Sequence, residues 1–197
     1  MPTIVVPFRG TNGKQRLAPL TDGARAALSL AMLADVLAAC TVVGETYVVT
    51  PDVEGVRVAR ELEAIVVPDP GGGQGPAVAA ALERAGDSRA LVVNGDLPCV
   101  VPEDIRALDR ATPEHGLSYV SARDGTTNAL GLSRAGLFAP LYGNGSAGRF
   151  RAHAKTHGLT ATAAAIPNLA EDVDALEDLE RVQLHVGPRT LAVLTSR

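Results

Sequence analysis

A chain of 197 residues with 46% hydrophobic side chains is long enough to bury one sizeable core, so a single domain over 1–197 is expected. Its formal net charge of -4 and isoelectric point near 5.5 supply no diffuse basic field for DNA, RNA or an anionic membrane. With 3% aromatic residues and no Trp, stacking platforms for single-stranded nucleic acid are scarce, so the expected partners are small, polar molecules, with no nucleic acid and no membrane among them.

Short β-branched runs at residues 3–6, 46–50, 64–67 and 90–93 predict strands buried on both faces. Helical patterns fill the gaps. The clearest follows Thr21, a fitting N-cap, carries Leu30, Leu33 and Leu37 on one stripe with Leu28, Met32 and Val36 alongside, and ends near Ala39. Further helices are predicted near 53–62, 76–84 and 102–110, the last with Pro in its first turn and acids just after it. Alternating β and α units imply an α/β fold with a mostly parallel sheet flanked by helices, because parallel neighbours require right-handed crossovers. After residue 115 the pattern changes: 117–121 and 129–133 read as strands joined by a turn-rich segment at 123–127. Residues up to about 100 form one expected half of the domain and about 101–180 the other. Cys40 and Cys99 show no zinc-type spacing and read as packing residues. No basic N-terminal stretch leads into an apolar run, and no 18-residue apolar segment is apparent, so a cytoplasmic location is expected. Oligomeric state is not legible in the sequence.

Ligands of open α/β sheets bind beyond the carboxyl ends of the strands, which directs attention to the loops after Val6, Val67 and Val93. The first places Arg9, Lys14 and Arg16 among Gly10 and Gly13, a composition suited to a triphosphate because glycines let backbone N–H groups approach while the cations neutralise the leaving pyrophosphate. It is not a Walker A loop, since only Thr11 and Asn12 separate Gly10 from Gly13-Lys14. The second, Gly71-Gly72-Gly73-Gln74-Gly75, runs into a helix whose N-terminus favours an anion or a base edge, but Pro76 occupies the third glycine position of a dinucleotide fingerprint. The third, Asn94-Gly95-Asp96-Leu97-Pro98, sets a carboxylate where Pro98 forces the chain to turn.

A second acidic segment, Glu171-Asp172-Val173-Asp174, follows a strand-like run at 160–166 and precedes a helix from about 175. If extended, it puts Asp172 and Asp174 on one side, so that three carboxylates with Asp96 could converge on Mg²⁺, which keeps several waters and shares its positions with substrate phosphates. The plainer alternative makes Asp96 a turn residue and Asp172 and Asp174 helix caps. Finally, Gly143-Asn144-Gly145-Ser146 opens a helix bearing Arg149, Arg151, His153, Lys155 and His157, with Thr126, Thr127 and Asn128 facing it; this arrangement suits a phosphate or carboxylate, while the histidines read as a solvated face.

Taken in order, Lys14-Gln15-Arg16-Leu17, Gly95-Asp96-Leu97-Pro98, Thr127-Asn128-Ala129-Leu130, Gly143-Asn144-Gly145-Ser146 and Asp172-Val173-Asp174 resemble the 2-phospho-L-lactate/phosphoenolpyruvate guanylyltransferases over residues 4 to about 180. The resemblance implies a nucleotide-diphospho-sugar transferase, or glycosyltransferase-A-like, fold and transfer of GMP from GTP to a phosphorylated three-carbon acid in deazaflavin coenzyme F420 biosynthesis. By the same resemblance Arg9, Lys14 and Arg16 bind triphosphate, Gly10, Gly13, Gly73, Gln74 and Gly75 cradle the nucleotide, and Asp96, Asp172 and Asp174 hold Mg²⁺. Thr126, Thr127, Asn128, Gly143 and Ser146 are assigned to the acceptor, with phosphoenolpyruvate favoured over 2-phospho-L-lactate. The chain departs from the family pattern at Pro76, where members often carry Asn, and at Phe150, where they carry His. Competing readings are a molybdopterin guanylyl- or cytidylyltransferase and a catalytically silent NTP-binding module.

Overall fold

In the computed structural model, which describes residues 1–11, 17 and 20–196, one seven-stranded sheet runs through the chain in the order β3-β2-β1-β4-β6-β5-β7. Strands β1 (Thr3–Pro7), β2 (Glu45–Val49), β3 (Ile65–Val67) and β4 (Ala90–Val93) are parallel, with Val5 paired to Tyr47 on one side and Val92 on the other. The crossovers are α1 (Asp22–Thr41), α2 (Val53–Glu61) and α3 (Gln74–Ala85), and α4 (Pro102–Ala111) follows β4. Because side chains alternate along a strand, Ile4 and Val6 pack with Leu33, Leu37 and Leu108 beneath one face, whereas Val5 packs with Val78, Leu130 and Phe150 beneath the other. Both faces are therefore dry, as continuous apolar strands require.

Beyond α4 the chain forms the hairpin β5 (Gly116–Ser121) and β6 (Thr127–Leu132), a short 3₁₀ turn at Ala135–Leu137, α5 (Ser146–Thr156) and β7 (Thr160–Ala163). The second hairpin strand, β6, lies antiparallel beside β4, with β5 outside it and β7 parallel to β5 at the edge. The run expected to stay extended to 166 stops at Ala163, and α6 (Pro167–Ala170) begins four residues later, with Pro167 at its first position.

The helix expected from 76 begins at Gln74, which brings Gln74 and Gly75 into the first turn of α3. Pro76 permits this because the first helical N–H groups have no intrahelical partner to lose. The last helices are α7 (Leu176–Val182) and α8 (Pro188–Thr195). Asp35, 4% exposed on α1, accepts the N–H groups of Arg189 and Thr190 at 3.1 and 2.9 Å, a carboxylate cap that fastens α8 to α1. Against expectation, α1 is long and apolar enough to cross a membrane; its apolarity is explained by burial against the sheet and α8, with Leu28, Met32, Leu33, Val36 and Leu37 inaccessible.

Candidate active site

Parallel β1, β3 and β4 open their carboxyl ends at one edge of the sheet, and the loops that follow them enclose a cavity of about 210 Å³. Arg9 and Gly10 line it from the first loop, Asp69, Gly73 and Gln74 from the second, and Asn94, Gly95 and Asp96 from the third. Asp174 arrives from the late acidic segment. Lys14, Arg16 and Gly13, assigned to the triphosphate, lie outside the described residues.

Asp52 shapes the start of the cationic loop. It caps α2 through Gly55 N–H at 2.9 Å and also accepts the N–H and hydroxyl of Thr11 at 3.0 and 3.1 Å. A Cβ on Gly10, whose φ is 103°, would sit 2.8 Å from the Asp52 carboxylate, so only glycine suits this close passage. Burial pushes the Asp52 carboxyl upward, but the hydrogen bonds from Thr11 and Gly55 outweigh it and hold the group below its ordinary value. The Arg9 guanidinium lies against Gly73, 3.2 Å from where a Cβ would be, so the first two loops meet across the cavity.

Gln74 donates to the Asn94 side chain at 2.7 Å, and Asn94 in turn reaches the Thr127 carbonyl at 3.3 Å, while its own N–H meets the Asn128 carbonyl at 3.0 Å. Asn94 thereby ties the glycine-rich loop to β6. It carries no assignment in the sequence reading, although its place at the end of an apolar strand in Asn94-Gly95-Asp96 was the available signal. Gly75 does not face the cavity as expected: within α3 it abuts Pro140, where a Cβ would come within 2.7 Å.

The acidic segment is a loop rather than a strand, so Asp172 and Asp174 take different roles. Val173 N–H donates to the Asp96 carbonyl at 3.2 Å, which draws the segment onto the Asp96 turn. Asp174 lines the cavity with Asp96, whereas Asp172 accepts from Asn128 at 3.1 Å. Burial pushes the Asp172 carboxyl above its ordinary value, the Asn128 bond opposes this, and the charges of Asp96 and Asp174 add to the rise. The three acids thus share one electrostatic neighbourhood. They do not form a closed cage: among the described residues no three His, Cys, Asp or Glu side chains are grouped as metal ligands. The expected three-carboxylate convergence is corrected to a looser arrangement, because Asp172 is drawn toward Asn128. Oxygen-only donors that repel one another still fit Mg²⁺, which takes one or two carboxylates and completes its shell with water and substrate phosphates.

The acceptor assignments also change in detail. Ser146, fully buried, donates its hydroxyl to Thr127 at 2.9 Å, which leaves the Thr127 O–H as the donor of the pair. Thr126 is bound within its own turn, its N–H and hydroxyl both donating to Asp124 at 2.9 and 2.6 Å. Asn128, expected to face the acceptor, orients Asp172 instead. Phe150 belongs to the core, edge-on to Tyr142 with centroids 5.4 Å apart, and the rings of His153 on α5 and His157 just past its end lie 4.2 Å apart, tilted by 42°.

An α/β sheet with a cavity at the carboxyl ends of its strands, rimmed by a glycine-rich loop, arginine and paired acids, has the form of a nucleotidyltransferase. The chain belongs to the family of the MobA-like NTP transferase domain, whose model matches residues 16–173, and it is a nucleotidyltransferase. It is 34% identical to phosphoenolpyruvate guanylyltransferase of Mycolicibacterium smegmatis, covering 98% of this chain and 90% of the relative. It is 35% identical to 3-phospho-D-glycerate guanylyltransferase of Phenylobacterium zucineum, covering 94% of this chain and 91% of the relative. In fold it is similar to a nucleotidyl transferase of Methanothermobacter, at a TM-score of 0.66 and 18% identity over 100% of this chain and 99% of that one. The 2-C-methyl-D-erythritol 4-phosphate cytidylyltransferase of Thermus thermophilus superposes at a TM-score of 0.61 and 17% identity, over 96% of this chain and 97% of that one. The nucleotide-diphospho-sugar transferase fold expected from the resemblance is the fold observed.

Proposed function

We propose that this protein transfers GMP from GTP to the phosphate of phosphoenolpyruvate, releasing pyrophosphate, with 2-phospho-L-lactate as the close alternative acceptor and coenzyme F420 biosynthesis in the cytoplasm as the setting. The observation that carries this reading is that Asp96 and Asp174 line the same cavity as Arg9, Gly73 and Gln74. Full-length likeness to relatives named phosphoenolpyruvate guanylyltransferase supports the nucleotide and the acceptor.

The nucleotide half, about 1–100, holds the NTP along the glycine-rich loop, where the N-terminus of α3 carries no side-chain cap and offers N–H groups to an anion or a base edge. Arg9, with Lys14 and Arg16, neutralises the polyphosphate. Asp96 and Asp174, with Asp172 beside them, hold Mg²⁺, which when bound supplies charge neutralisation at the phosphates. The acceptor half presents its substrate from the 143–146 segment. An acceptor phosphate oxygen attacks the α-phosphorus in line, the bond to the bridging oxygen breaks, and pyrophosphate departs. No side chain needs to remove a proton, because a phosphate monoester with a second pKa near ~6 is already largely dianionic at pH 7. Catalysis reduces to positioning and charge.

One relative is named for 3-phospho-D-glycerate, which makes that acid the specific rival acceptor. The test is pyrophosphate release with each of four NTPs against phosphoenolpyruvate, 2-phospho-L-lactate and 3-phosphoglycerate, with and without Mg²⁺. Release confined to GTP with a phospho-acid, and abolished by chelation, is the expected result; GTP binding without release from any of the three acids leaves a silent nucleotide-binding module.

A further inference from the structure

Building on the reading that the 143–146 segment holds the acceptor, we infer that Arg149 is a positioning residue that shapes this segment into an anion-binding surface. Arg149 lies in the first turn of α5 and reaches back over the loop that precedes it. Its Nε and one Nη donate to the Leu141 carbonyl at 3.1 and 2.9 Å, the same Nη donates to the Tyr142 carbonyl at 3.0 Å, and the other Nη donates to the Asn144 carbonyl. An exposed arginine ordinarily leaves its donors in water. Here the planar fork is committed to three backbone carbonyls within four residues.

A trans peptide unit carries its C=O and N–H on opposite sides, and no peptide bond in the described chain is cis. Holding the carbonyls of Leu141, Tyr142 and Asn144 against Arg149 therefore turns the N–H groups of Tyr142, Gly143 and Gly145 the other way. None of these three N–H groups makes a hydrogen bond among the described residues. Gly143 and Gly145, with φ of 109° and 67°, supply the left-handed conformations the reversal needs. Unbonded N–H groups in such a turn form a concavity for an anion, and the positive end of α5 begins beside it at Ser146.

The loop adjoins the nucleotide cavity on two sides. Pro140, one residue ahead of it, packs on Gly75 in the first turn of α3, and Ser146 at its far end bonds Thr127, whose carbonyl is held by Asn94. An acid seated on this surface thus lies next to the bound NTP. Arg149 need not touch it.

The experiment is steady-state pyrophosphate release by the full chain, with the phospho-acid the wild type uses best varied at saturating GTP and Mg²⁺, and then GTP varied at saturating acid. Arg149→Lys keeps the charge but lacks the fork, and Arg149→Met lacks both. In each, KM for the acid rises by about 10-fold or more while KM for GTP stays within about twofold and the melting temperature is little changed. A wild-type KM for the acid in Arg149→Lys, or equal rises in both KM values, overturns the inference and leaves guanylyl transfer standing. Absence of release by the wild type with every acid removes guanylyl transfer itself and this inference with it.

Discussion

At the scale of single residues, the cavity lining is distinct from the groups that hold it in place. Asp96 lines the cavity, and under the proposed reaction Asp96→Ala is expected to lower pyrophosphate release by about 100-fold or more, measured at saturating substrates. His157→Ala, at an exposed residue just past α5 that does not line the cavity, should leave turnover at the wild-type level; a large loss there would relocate the chemistry. The cysteines were legible from their apolar surroundings. Burial pushes the Cys99 thiol up to about 11, with the Glu171 and Asp104 charges adding to it, and burial raises Cys40 further. Both should resist a thiol-specific reagent at pH 8 in the native protein and react fully in denaturant. Asn94 and Asp52 were not legible as site residues, and Asn128 was assigned to the acceptor and not to Asp172, because their roles are hydrogen bonds to residues 20 or more positions away: Asn94 to Gln74, Asn128 to Asp172, Asp52 to Thr11.

At the scale of elements, strands β1 to β4 and helices α1, α2 and α4 could be read nearly to their ends, since apolar periodicity and a cap such as Thr21 are local properties. The start of α3 was misplaced because glycines 71–73 and Gln74-Gly75 look alike in composition, while in the fold Gly75 already lies inside the helix, close against Pro140. Helix α8 went unread: a helix of eight residues is stable only where something caps and covers it. Asp35 does so, and Asp35→Ala is expected to cost about 1–3 kcal/mol in urea unfolding by stranding two N–H groups at the start of α8. An unchanged midpoint would show that α8 is held by its apolar contacts alone. Gly187 abuts the same carboxylate, where a Cβ would lie 2.4 Å from Asp35 Cγ, so Gly187→Ala should disturb this junction as well.

At the scale of the whole molecule, pH acts on the joints between elements. Asp52 and Asp178 are both held below the ordinary Asp value: burial opposes this in each, and it is outweighed by hydrogen bonds from Thr11 and Gly55 to the one and from Ala175, Asp174 and Arg181 to the other. A carboxyl depressed in the folded state contributes stability that is fully present above its unfolded pKa and is lost as pH falls through the folded value. Asp172, raised in the fold, contributes with the opposite sign, being relieved when it takes up a proton. Stability should therefore hold or rise slightly from neutral pH down to about 4, as Asp172 takes up its proton, and fall below about 4, and Asp52→Asn should remove part of that fall, as followed by urea midpoints across pH.

Apolar patterning by itself determined an α/β sheet with both faces covered, and loop chemistry by itself pointed to the three strand ends where the cavity opens. Tertiary structure alone decided that β6 enters the sheet antiparallel beside β4, that Asp174 shares the cavity with Asp96 while Asp172 turns to Asn128, and that Arg149 serves a loop instead of solvent. The division has a physical cause. Periodicity and turn chemistry act over a few residues, whereas strand order, the meeting of distant carboxylates and the aim of a guanidinium are set by which surfaces exclude water together.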